Sequence, residues 1–149
     1  MIINQDTLGF VKPLNLKHFM LNNRKFIYSY KIGNEYDREY LTADYFEVLT
    51  DGKIQLLMNH YIDIELNSYV TNYMGGGGDG REYFVHKNKM YYKNENNGAA
   101  REIIRKKKYI LGLFTDKRDE IENYIKREHI NLKNDDDIRL LFEYYNSIS

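Results

Sequence analysis

The chain changes its hydrophobic rhythm near residue 105. Before that point apolar and polar residues alternate with a period of two, the pattern of a half-buried strand; after it apolar residues recur every three or four, as on one face of a helix. Within residues 26–32, Phe26, Tyr28, Tyr30 and Ile32 share a face. Gly33-Asn34 is a turn signal, and residues 36–41 pair back as a hairpin. Residues 45–50 are the next strand. Asp51-Gly52 is the strongest hairpin signal, because both central residues of a type I′ turn take positive φ. The alternation then holds over residues 53–66, with Ile54, Leu56, Met58, His60, Ile62, Ile64 and Leu66 pointing one way. A run of that length predicts a bent strand or two strands. Pairing resumes at 82–86, 89–93 and 101–104, with turns at Lys87-Asn88 and at 94–98.

The last third predicts three short helices. Ile110, Leu113 and Phe114 share the first stripe, and Ile121, Tyr124 and Ile125 the second, with Thr115 or Asp116 as its cap. Asn134 caps the third, Asp135, Asp136 and Asp137 sit where the helix dipole favours anions, and Ile138, Leu141, Phe142 and Tyr145 form its buried face. None of these helices is long enough to hold alone, so they must pack on the sheet. The expected fold is α+β: an antiparallel β meander of about six to eight strands in residues 1–104, packed by three short C-terminal helices in 106–148. The length fits one domain over residues 1–149, β-rich over 1–104 and helical over 105–149.

Composition narrows the function classes. The chain has 22 basic and 22 acidic residues and a formal net charge of zero, which argues against nucleic acid or an anionic membrane as a bulk electrostatic partner. It has no cysteine, so disulfides, thiol nucleophiles and thiolate metal sites are excluded. No apolar run reaches the roughly 18 residues of a membrane span, and residues 1–6 lack the basic start and long apolar stretch of a signal peptide. Fifteen tyrosines stand against no tryptophan and one proline.

Each candidate site has a plain structural reading beside it. Gly75-Gly76-Gly77-Gly78-Asp79-Gly80 matches a phosphate-loop spacing, but no strand–loop–helix context surrounds it, so a mobile loop is expected. His18, His60, His86 and His129 show no ligand spacing; His60 reads as a satisfied core histidine, and no metal or cofactor is expected. The triplet 135–137 lacks the alternation of a calcium loop and reads as helix capping. The basic run 105–108, with Lys117 and Arg118, is set against Asp116, Asp119, Glu120 and Glu122 and reads as a solvated helix start. Tyr28, Tyr30, Tyr91 and Tyr92 are the expected binding residues, strand aromatics able to stack on a sugar or bury at a partner. No catalytic constellation is readable.

Three stretches also carry a family resemblance. Asp6-Thr7-Leu8-Gly9-Phe10-Val11-Lys12 resembles the opening strand, residues 46–57 the central hairpin, and residues 108–114 with Asp116 and 140–146 the closing helices of a group of small exported bacterial envelope proteins. The resemblance implies a periplasmic or envelope-associated location, with a cytoplasmic one as the alternative, and brings no catalytic residues. The expected function is a non-enzymatic envelope binding or interaction module that uses a tyrosine-bearing sheet surface or sheet edge, its partner another envelope protein or a glycan. The alternative is a small-ligand carrier or enzyme with a pocket between sheet and helices.

Overall fold

The computed structural model describes residues 3–4, 7–8, 16–35, 38–66, 82–94 and 98–149. Two short strands, β1 (Ile3–Asn4) and β2 (Thr7–Leu8), pair with each other. The main sheet contains β3 (His18–Leu21), β4 (Arg24–Glu35), β5 (Arg38–Thr50), β6 (Ile54–Leu66), β7 (Glu82–Asn94) and β8 (Ala99–Glu102). Helices α1 (Lys107–Leu113), α2 (Arg118–Arg127) and α3 (Asp135–Ile148) follow, with a 3-10 turn at Thr115–Lys117. Among the described residues the fold is therefore α+β with three α-helices. Of the expected opening strand at 6–12, only Thr7–Leu8 is a described strand, and the glycine run 75–80 lies outside the described residues.

The expected open meander is in fact closed. β8 runs antiparallel to β7 and parallel to β4, with Tyr30 opposite Ala99 and Ile32 opposite Arg101. β4 to β8 thus form a five-stranded barrel, and β3 is an extra strand on β4. Successive strands of a meander alternate in direction, so an odd number can meet itself only in parallel. One edge of β4 serves both neighbours: β3 takes its residues 24–27 and β8 its residues 30–32. Alternation along each strand is the same in open and closed sheets, which is why the sequence pattern does not reveal the closure.

The strands are also longer than expected. Residues 38–50 form one strand rather than two, and Lys87-Asn88 lies inside β7, paired with Tyr61 and His60. Lys87 reaches Asp63 at 2.8 Å and Glu65 at 2.7 Å, cross-strand contacts that favour pairing over a turn. The type I′ geometry expected at Asp51-Gly52 occurs elsewhere. Asn22 and Asn23 both have positive φ, 49° and 62°, in the two-residue loop between Leu21 and Arg24. Asparagine tolerates this region better than most residues. At residues 51–53 only Gly52 is positive, at φ 143°, and the β5–β6 register shifts between Val48 and Thr50.

Two cores follow from the alternation. The outward face of β6 and β7 (Ile54, Leu56, Met58, Met90, Tyr92) packs against Ile110, Phe114, Ile121, Ile138, Leu141, Phe142 and Tyr145 of the helical layer. The inward face gives a smaller cluster inside the barrel: Phe46, Leu57, Tyr91 and Ala100, with Ile27 and Val48 beside them. The three helical stripes read from sequence are all on the buried side. Asn134 caps α3, its side chain accepting from the N–H groups of Asp136 and Asp137. The expected cap of α2 is corrected: Lys117 holds that position without a side-chain bond, and Asp116 instead accepts from the Tyr145 hydroxyl at 3.0 Å and from Lys53 at 2.6 Å. α2 ends on His129, which has φ 53°, while the Ile130 N–H reaches back to the Ile125 carbonyl, a Schellman-type closure.

Candidate functional site at the barrel mouth

The four tyrosines singled out by sequence lie on three different surfaces. Tyr28 and Tyr30 are exposed on the outside of β4, and the Tyr28 ring meets that of Tyr45 at 5.2 Å. Phe19 stacks on Phe26 at 4.9 Å beside them and meets Tyr45 edge-on. Tyr91 and Tyr92 are buried, contrary to a joint role on one exposed face. Neighbours on a strand point to opposite sides. Tyr91 therefore faces the barrel interior, and Tyr92 faces the helices, where it accepts a hydrogen bond from Tyr109.

Among the described residues a hydrophobic core lies between barrel and helices, and a cleft of about 650 Å³ opens at one end of the barrel. Its origin is a fork between two hairpins. The β5–β6 ladder stops at Phe46 opposite Asn59. The β4–β5 ladder continues to Glu35 opposite Arg38, and β6–β7 to Leu66 opposite Glu82. Beyond the fork each hairpin forms one wall, and β8 with the start of α1 forms the third side. Asn59 stands at the fork, 1% exposed. Its Nδ2 donates to the Tyr45 carbonyl at 3.2 Å, and its Oδ1 accepts from Lys31 at 2.9 Å.

The floor is aromatic and cationic. The Lys31 ammonium lies 5.8 Å from the Tyr91 ring centre and 6.0 Å from that of Phe46, and pairs with Asp44 at 3.3 Å. Burial, with the nearby charge of Glu102, pushes the Tyr91 phenol up to about 12. Burial also raises the Tyr109 phenol, so both rings stay neutral donors at ordinary pH. On the walls stand Tyr40 and Tyr61, one from each hairpin, with Thr42 and Lys89. The Tyr40 ring lies over Gly33, so close that an added Cβ would sit 2.5 Å from it; glycine here makes room for the ring. Arg101 and Glu102 complete the β8 side, paired with Glu39 at 3.4 Å and Lys89 at 3.3 Å.

A second polar cluster lies outside the barrel. Glu47 holds Arg24 through both carboxylate oxygens and accepts from His60 at 2.7 Å, while the other nitrogen of His60 contacts Asn88 at 2.9 Å. His60 is thus satisfied but is not the core histidine expected, its side chain being 25% exposed outside the barrel, and its ring stacks on that of His86 at 5.4 Å. No group of three or more potential metal ligands occurs among the described residues. Burial alone would raise the Glu47 carboxyl, but the bonds from Arg24 and His60 outweigh it and hold the group below the usual range. The basic run is tied down in part, with Arg105 on Asp135 and Lys107 on Glu122. Among the described residues no helix is long and apolar enough to cross a membrane.

Sequence reasoning therefore reached Tyr91 and missed Tyr40, Tyr61, Lys31, Lys89, Arg101 and Glu102. The available signal was parity: Lys31, Thr42, Asn59, Tyr61, Lys89 and Tyr91 all alternate onto the strand faces opposite the apolar stripe. The chain matches no protein-family model, no curated protein and no solved structure.

Proposed function

We propose that this protein is a binding module that holds a linear glycan in the tyrosine-lined cleft at the barrel mouth. One observation carries the reading. The fork between β5 and β6 opens an interior lined by Tyr40, Tyr61, Tyr91 and Tyr109, with charged and amide side chains between the rings. Tyrosine faces suit the apolar faces of sugar rings, and interleaved polar groups suit their hydroxyls. A groove open along its side accepts a chain that continues past the site. The envelope location implied by the resembling stretches belongs to the same proposal, and fractionation of the native host tests it.

The test is a glycan array with the full chain and with Tyr40→Ala. Tyr40 is 45% exposed, so its truncation should spare the fold. Retention of linear oligosaccharides by the parent, and loss of at least tenfold in affinity in the variant with an unchanged circular dichroism spectrum, is the expected outcome. A parent that retains no glycan, or a variant that binds as the parent does, overturns the reading.

A further inference from the structure

We infer that the glycan taken by this cleft carries anionic substituents, and that Lys89 and Arg101 read them. The inference rests on the glycan-binding reading and adds the class of sugar. Its basis is the pair of partly exposed cations in the lining, Lys89 and Arg101, whose carboxylate partners are Glu102 and Glu39.

The ion pairs at the cleft are also looser than those elsewhere. Lys31–Asp44, Lys89–Glu102 and Arg101–Glu39 span 3.3, 3.3 and 3.4 Å. Among the described residues, the other ion pairs between positions more than four apart all close to 3.1 Å or less, as in Lys53–Asp116 at 2.6 Å and Lys107–Glu122 at 2.7 Å. Lys89 and Arg101 keep side-chain exposures of 46% and 41%. Each can swing toward a ligand anion and exchange a long contact for a shorter charge-assisted one. Arg101 offers a planar fork that matches a carboxylate with two parallel bonds, whereas Lys89 offers a point charge. Lys31, held by Asn59 and over two aromatic faces, sets the potential of the floor rather than reaching out.

The acidic partners set the density of charge that fits. Every cation retains a carboxylate neighbour and the whole chain is neutral, so a polymer with a phosphate at every residue gains little. An occasional anion along an otherwise neutral sugar chain is the better match. That description favours a uronic acid over a nucleic acid strand.

Isothermal titration with matched oligosaccharides tests this: a galactose trimer with one residue replaced by galacturonate, the neutral galactose trimer, the same trimer with a single 6-phosphate, and oligouridylate of similar length. The expected result is binding of the uronate at least tenfold tighter than the neutral trimer, weakening as salt rises from 20 to 300 mM. Lys89→Gln should reduce uronate affinity roughly tenfold, the order expected of a hydrogen bond to a charged group, and so narrow the preference for the charged over the neutral trimer. Tighter phosphate than uronate binding would keep the anion and change its source. Equal binding of neutral and charged trimers overturns the inference and leaves the glycan reading standing. Oligouridylate binding tighter than every sugar, or no sugar bound by the folded chain in any arm, overturns both.

Discussion

The end of α3 is latched to the β5–β6 turn by one side chain, and its removal is measurable. Asn146 accepts from the Ile54 N–H at 3.2 Å and donates to the Ile54 and Asp51 carbonyls at 3.0 and 3.3 Å. These bonds span more than ninety residues of sequence. A typical intramolecular hydrogen bond contributes about 1 kcal/mol net, and partly exposed groups recover water when the partner leaves, so Asn146→Ala should cost about 2 kcal/mol. Gly52 makes the latch possible. It holds φ 143°, and a Cβ there would lie 2.6 Å from the Asn146 Cγ. Gly52→Ala should cost about 1–3 kcal/mol from backbone strain, and in addition push Asn146 off its three bonds.

The two losses overlap, and a double-mutant cycle separates them. In the Asn146→Ala background there is no amide left to displace, and only the backbone strain and a tight 3.0 Å contact to the retained Cβ of residue 146 remain. The double variant should therefore be more stable than the sum of the single effects predicts, by about 2 kcal/mol. Urea unfolding followed by circular dichroism gives the three differences. Additive effects, within about 0.5 kcal/mol, would refute the argument that Gly52 and Asn146 act through one contact.

Three further outcomes follow from the same reasoning. Gly33→Ala should displace the Tyr40 ring, whose end is free to swing, lowering glycan affinity about as much as Tyr40→Ala while changing stability by less than about 1 kcal/mol; titration and thermal unfolding of one sample check both halves. Glu47 has a folded-state carboxyl below its usual range, so its contribution is present above the unfolded value of 4.5 and is lost as pH falls through the lower folded value. Glu47→Gln should accordingly flatten part of the stability loss below that pH, as measured by unfolding midpoints across the acid range. Asn134→Ala removes the acceptor for the Asp136 and Asp137 N–H groups and should cost about 1 kcal/mol, whereas Asn134→Ser should cost only a few tenths.

What was legible in the sequence was local. The stripe Ile138, Leu141, Phe142 and Tyr145 is read from spacing alone, because helical period and burial are one fact. The Asn134 cap is likewise fixed by the residue and its place before three aspartates. The even-numbered face of residues 54–64 is correctly grouped, although only Ile54, Leu56 and Met58 lie under the helices. Beyond His60 the same face is bare, with Ile62 at 61% and Ile64 at 54% exposure, because the hairpin outruns its cover. Turn chemistry was less legible. Asn22-Asn23 shows no glycine and separates strands whose first partner, β3, has four residues. Asp51-Gly52 looks ideal, but Gly52 is shaped by Asn146, a residue near the other end of the chain.

The site was illegible for a reason that closure explains. In an open meander under one helical layer, the face away from the helices meets water, and polar residues there need no explanation. Lys31, Asp44, Asn59 and Lys89 fall on that face by parity and read as solvated. The parallel pairing of β8 with β4 turns that face into an interior, where each of those groups needs a partner. The partners are present: Asp44 and Asn59 for Lys31, and Glu102 for Lys89. A few contacts between Tyr30–Ile32 and Ala99–Arg101, remote in sequence, thus convert an ordinary wet surface into a lined cleft. Small side chains make that approach possible, since Ala100 is fully buried between Phe46, Leu57 and Tyr91. A larger residue at 100 would press on the floor of the cleft and on the closing pair at once, so the seam that completes the barrel is also what gives the cleft its depth.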